Sequence, residues 1–130
     1  MANSVNTQSS PYVDNLIVTT DSNATPETNV LGGGATCFIF DMDNSNNTAP
    51  TYLKVWNDAN PTTNSDQFDL LFLIPAQVRQ TVTVTGMLAN GTISDGIYLG
   101  TSLTYASTTA ATLAGVSSPL NAVTVRIMAE

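Results

Sequence analysis

Aspartates are the only proton-moving side chains present in any number. Asp41, Asp43, Asp58, Asp66, Asp69 and Asp95 are the material for a carboxylate acid–base pair of the kind that hydrolyses glycosides, yet nothing in their spacing singles out two. The 130-residue chain has no histidine, which removes the commonest general base and the usual partner of a nucleophilic Ser or Cys. Zinc needs a cluster of Cys or His ligands, and Cys37 is the only cysteine. It lies in the apolar run Ala35-Thr-Cys-Phe-Ile-Phe40 and reads as a small buried hydrophobe with no intrachain disulfide to form. Gly32-Gly-Gly34 lacks the following Lys-Ser/Thr of a phosphate loop and reads as a strand entry. Asp41-Met-Asp-Asn-Ser45 opens with hard oxygens at alternating positions, as a calcium loop does. It then places Asn46 where such a loop needs Gly and Tyr52 where it needs Glu, so an Asx-rich turn after a strand accounts for it. No catalytic residue, cofactor or metal is expected, and the chain reads as a non-enzyme.

One constellation remains for binding. Tyr52 and Trp56 alternate with Lys54 along residues 51–56, an arrangement suited to stacking a sugar ring or gripping another subunit. With Tyr98 they form the candidate interface: Tyr52, Lys54, Trp56 and Tyr98. Lys54, Arg79 and Arg126 are the only cations against ten acidic residues, a formal charge of −7. That leaves no basic surface for phosphates, so no nucleic-acid partner is expected, and an anionic membrane would repel the chain. No run approaches the roughly 20 apolar residues of a membrane span. Residues 1–10 are polar, with neither the basic n-region nor the apolar h-region of a signal peptide, so the expectation is a soluble protein made in the cytoplasm. Three glycosylation sequons (Asn23, Asn46 and Asn90) are as many as chance supplies in a chain with 13 Asn and 31 Ser or Thr.

The elements that must position these residues are strands. Only 10% of residues are charged, against a norm of about 25%, and Thr, Ser and Asn make up about a third of the chain, the composition of exposed β-structure. Residues 1–10 lack periodicity and suit a flexible N-terminal arm. Apolar or alternating runs at 11–20, 35–42, 51–56, 68–74, 79–86, 97–105 and 121–128 give about seven strands. Asx-, Gly- and Pro-rich turns separate them. Residues 35–42 are expected to be buried on both sides. In 51–56, Leu53 and Val55 point one way and Tyr52, Lys54 and Trp56 the other. Val82 and Val84 are expected inward, with Thr81, Thr83 and Thr85 outward. In the last run Val123, Val125 and Ile127 oppose Thr124 and Arg126. Asn90-Gly91 is a hairpin signal, and 97–105 has a bend at Gly100. The fold expected is a single all-β domain over 11–130, an antiparallel β-sandwich or jelly roll.

Asp43-Asn-Ser-Asn-Asn-Thr48 with Tyr52-Leu-Lys-Val-Trp-Asn-Asp-Ala-Asn60, and Ser117-Ser-Pro-Leu-Asn-Ala-Val-Thr-Val-Arg-Ile127, resemble a family of small tailed-phage virion proteins. Asp69-Leu-Leu-Phe-Leu-Ile-Pro-Ala76 and Gly96-Ile-Tyr-Leu-Gly-Thr-Ser-Leu103 follow the same family order. The resemblance covers residues 35–130; the N-terminal arm stands outside it. It implies a β-sandwich displayed on a bacteriophage particle, and within that a capsid cement or decoration protein. Such a viral structural protein would bind the major capsid protein and itself, as a homotrimer, and reside in the virion after assembly in the host cytoplasm. The competing expectation is a carbohydrate-binding β-sandwich module on a tail or fibre, using Tyr52, Trp56 or Tyr98 as its platform.

Overall fold

A computed structural model describes residues 3–7, 15–84, 87–89, 92–94 and 96–130. Strand β3 (Ala35–Asp43) pairs with three other strands in the larger of two sheets. The strands around it are β1 (Asn3–Thr7), β2 (Asn15–Ser22), β6 (Arg79–Thr83), β9 (Ile97–Leu99) and β11 (Val123–Ala129). The order is β1-β2-β11-β3-β6, with β9 also pairing β3, and every pair is antiparallel. The smaller sheet runs β10-β4-β5, from Thr104–Thr108, Thr51–Trp56 and Leu70–Ile74. A separate hairpin joins β7 (Met87–Ala89) to β8 (Thr92–Ser94). Among the described residues there is no helix, and the two sheets pack as a β-sandwich.

Period-2 patterning puts the apolar rows inside. Val123, Val125, Ile127 and Ala129 of β11 are fully buried while Thr124, Arg126 and Met128 face out. Val82 and Val84 lean on the core and Thr81 and Thr83 are exposed; the side chain of Thr85 lies outside the described residues. In β3 the inward residues are Ala35, Cys37, Phe40 and Met42. The step from Cys37 to Phe40 breaks strict alternation, and the pairing with β11 shifts register at that point, a bulge that keeps both side chains inside. The opposite face of β3 is half-buried at Thr36, Phe38 and Ile39, less than the two-sided burial expected there. Burial desolvates the Cys37 thiol and pushes its pKa up to about 12.

The sheets are joined by aromatic and polar contacts across the core. Phe40 meets Phe72 with ring centroids 4.8 Å apart. Tyr105 Oη and Thr19 Oγ1 lie 2.5 Å apart, and the Ser22 and Ser107 hydroxyls 2.7 Å apart. At one end of the sandwich Asn44, directly after β3, ties residues 47–51 to the end of β5 at Ile74 and Pro75. Its Nδ2 donates to the carbonyls of Ala49, Ile74 and Pro75, and its Oδ1 accepts from Asn47 Nδ2 and Thr51 Oγ1, both at 2.9 Å. Asn47 extends the network to the backbone of Asn121 just before β11.

All seven expected strands are present. Residues 97–105 divide into β9 and β10, which belong to different sheets; the chain leaves one sheet at Gly100 and enters the other after Leu103. Three elements lie outside the seven expected runs. One is β1, formed by part of the segment read as an arm, which pairs antiparallel with β2. The others are β7 and β8, whose Ala89↔Thr92 pair brackets the Asn90-Gly91 turn, itself outside the described residues. Tyr12 and Val13, read as the start of the first strand, also lie outside them.

Asn44 is wholly buried, so its replacement orphans several backbone and side-chain groups at once. Asn44→Ala is expected to lower unfolding stability by at least about 2 kcal/mol. Urea titration followed by fluorescence of Trp56, the single tryptophan, measures it.

Candidate functional site

The four residues of the expected interface are not brought together. On the outer face of β4, Lys54 is 0% exposed and Trp56 1%. The segment after β10 folds over this face and offers two carbonyls to the ammonium: Lys54 Nζ donates to Thr112 O at 2.6 Å and Gly115 O at 2.7 Å. The Phe68 ring lies 5.6 Å from Nζ, and desolvation pulls the lysine below its ordinary pKa. Trp56 Nε1 donates to Asp66 O at 2.9 Å, and its ring meets Phe68 edge-on. Lys54 and Trp56 therefore cannot serve as a surface platform; loops occupy the positions a sugar or a subunit would take. Tyr52 is half-buried on the same strand, and Tyr98, 74% exposed, belongs to β9 in the other sheet.

Four of the aspartates hold backbone amides of turns and loops. Asp43 Oδ1 accepts from Ser45 N, Asp58 Oδ1 from Asn60 N, Asp66 Oδ2 from Thr62 N and Asp69 Oδ2 from Asn57 N. Asp43 is thus the Asx turn expected after the strand, and the hydrogen bonds from Ser45 hold its carboxyl below the ordinary range. Asp95 lies outside the described residues. No group of three or more His, Cys, Asp or Glu that could hold a metal ion occurs among the described residues.

Asp41 is different. It faces outward from β3 with Arg126 beside it on β11 and Thr81 on β6. Arg79 grips it with two hydrogen bonds, Nε to Oδ1 at 3.1 Å and Nη2 to Oδ2 at 2.6 Å, and Thr81 Oγ1 donates to Oδ1 at 3.1 Å. Arg126 Nη1 stands 3.6 Å from Oδ2, within ion-pair range but without a hydrogen bond, and that nitrogen is shut off from solvent. The Arg79 hydrogen bonds, opposed by partial burial, hold Asp41 below the ordinary carboxylate range. Two of the chain's three cations thus converge on Asp41, and Asp43, two residues along the same strand and paired in register with Arg79, also feels both of them. Leu16, Ile39 and Met128, one two-residue step along the strands, complete a shallow depression of about 280 Å³.

A second exposed feature lies on the smaller sheet. The segment 23–30 runs along the free side of β10, with Glu27 and Tyr105 exchanging backbone hydrogen bonds and Ser107 N donating to Asn23 O. Strand β5 has no such neighbour among the described residues. Its outer row is exposed: Asp69 precedes it, and Leu71 and Leu73 are 39% and 51% exposed. Residues 68–74 read as a core strand by apolarity alone, and only the pairing order reveals β5 as an edge. Likewise Arg126 reads as outward, but its meeting with Asp41 and Arg79 depends on which strands become neighbours. Comparison of the chain with protein-family models, with curated proteins and with solved structures found no match.

The depressed pKa of Asp41 contributes stability that is present above the ordinary carboxylate pKa of about 3.9 and lost as pH falls through the lower folded-state value. Asp41→Asn is expected to cost about 0.5–1 kcal/mol at pH 7, since the arginines are partly hydrated. It should also flatten the loss of stability below pH 4, as measured by urea titrations across pH 2–7.

Proposed function

We propose that the chain is a structural protein of a tailed-phage virion. In this reading it is a capsid cement or decoration protein that binds the lattice of the major capsid protein as a homotrimer. Its work is to add buried area across capsomer boundaries, which stabilises whatever assembled state it binds by mass action. The observation that carries this reading is the uncovered edge strand β5 with its exposed Leu71 and Leu73. An unpaired apolar edge is a template for another chain, and monomeric proteins ordinarily blunt such an edge with charge, proline or a covering loop. Here the β10 side is covered by residues 23–30, and β5 itself carries no charged residue or proline over Leu70–Ile74. The resemblance of residues 35–130 to small virion proteins points the same way. The net charge of −7 would keep many displayed copies from coalescing.

The alternative of a carbohydrate-binding module loses its main support with the burial of Trp56. Tyr98 is then its only fully exposed aromatic among the candidates, and one ring makes a poor platform for a sugar chain.

Quantitative mass spectrometry on purified particles tests the reading. Hundreds of copies per particle, in fixed ratio to the major capsid protein, are expected. A handful of copies would move the protein to the tail or fibre, and none would remove it from the virion.

A further inference from the structure

Two loops at one end of the sandwich hold an apolar knob beside an apolar hollow. Residues 44–50 follow β3, and residues 109–122 join β10 to β11. Between them lies a depression of about 290 Å³ whose apolar wall is Ala49, Pro50, Pro119 and Leu120. Ala49 and Pro50 are exposed, and Leu120 is 90% exposed. A lone surface leucine is ordinary, but this one stands at the rim of a hollow that it does not enter. Its neighbours hold it out. Pro119 fixes the backbone on one side. On the other, Asn121 N donates to Asn47 Oδ1 at 2.8 Å, its Nδ2 donates to Asn46 O at 2.7 Å, and its carbonyl accepts from Asn47 Nδ2 at 2.9 Å. Asn47 is itself buried against Asn44. A knob already fixed in this way loses little freedom on docking. Neither loop contains a charged residue, and none lines the depression. Asp43, at the root of the first loop, is turned to Ser45 N. The Lys54 ammonium lies beneath the second, closed off by the carbonyls of Thr112 and Gly115.

We propose that Leu120 of one copy enters the depression walled by Ala49, Pro50 and Pro119 on the next copy, so that copies of this chain join through this end. The inference rests on the homotrimer reading above and names the surface that carries it; the β5 row then serves the capsid lattice. Charge and shape choose the occupant together. A chain of net charge −7 meets another copy with least repulsion where both present uncharged loops. The hollow offers no charged group to a ligand, so what fills it is an apolar projection without charge. Each copy carries one such projection, Leu120, next to its own hollow. Because knob and hollow are different surfaces, the contact is heterologous, and successive contacts close into a ring when the rotation between copies allows it. A ring of three is the form that the homotrimer reading requires.

Sedimentation of the full chain and three variants, each over a concentration series, tests this. The natural chain is expected to have the mass of three 13.6 kDa chains. Leu120→Asp replaces the knob with a carboxylate, and Ala49→Phe fills the hollow. Each should run as a single chain, with association weakened about tenfold or more. Both positions are exposed, and fluorescence of buried Trp56 confirms that the variants are folded. Leu73→Asp, on β5, should remain a trimer. A natural chain with the mass of one or two chains overturns the proposal. So does a Leu120→Asp or Ala49→Phe chain that associates as the natural one does, or a Leu73→Asp chain that falls to a monomer. A monomeric natural chain whose Leu120→Asp variant no longer joins particles would overturn it by giving the hollow to the capsid protein. A chain abundant on particles yet monomeric in solution would overturn the contact and leave the decoration reading standing. A trimer that depends on Leu120, with no copies on particles, would do the reverse.

Discussion

Both faces of β4 are buried, and the rest of the smaller sheet follows from that. A three-stranded sheet packed on a larger one would ordinarily leave its far side in water, with polar residues there. Here the far side of β4 carries Lys54 and Trp56 at almost zero exposure, so loops must cover it. The ammonium can be taken from water only if acceptors replace its hydration. The turn at Thr112–Gly115 supplies two carbonyls for that purpose. A Cβ at Gly115 would sit 2.6 Å from that of Ala110, so this turn needs a glycine to stay close. The Trp56 indole is satisfied by the backbone at Asp66, within the other covering loop. Two loops are thus committed to β4, and the segment 23–30 to β10. Among the described residues, strand β5 is what remains without such a neighbour.

Much of this was legible in the sequence. Apolar runs between breakers located strands such as 68–74, and alternation located those at 121–128 and 79–84, which have one wet face each, the condition under which period 2 shows in composition. The covered outer face of β4 could not be read in this way. Lys54 alternating with Leu53 and Val55 has the pattern of a half-exposed strand, and nothing local announces that a loop some 60 residues later in the chain will cap it. Strand β1 was hidden for the opposite reason, since an edge strand of small polar residues draws its hydrogen bonds from β2 and needs no apolar signal. The arginine cluster was half legible. Arg126 reads as outward, whereas Asp41 lies in a run read as buried on both sides, and the meeting of both with Arg79 requires the order β11-β3-β6, a long-range fact that no window of sequence contains.

With only three cations, the placement of each matters. Lys54 is internal and Arg79 is held by both of its bonds to Asp41, so Arg126 is the cation with reach to spare. On the outer face of the larger sheet two guanidiniums stand beside the two carboxylates of Asp41 and Asp43, so the charges there largely compensate one another. No step in this account requires a chemical transformation. The interior is given to packing, and the aspartates described above hold backbone amides or arginines.

The central claim is that the exposed surfaces of this chain stabilise a capsid. The direct measurement is the temperature at which purified particles release their DNA, followed by a dye excluded from intact heads, with and without this protein. Particles that lack it should release DNA at a lower temperature, and adding the purified chain should restore the higher one. Release at an unchanged temperature, with no chain retained on the particles, would contradict the account.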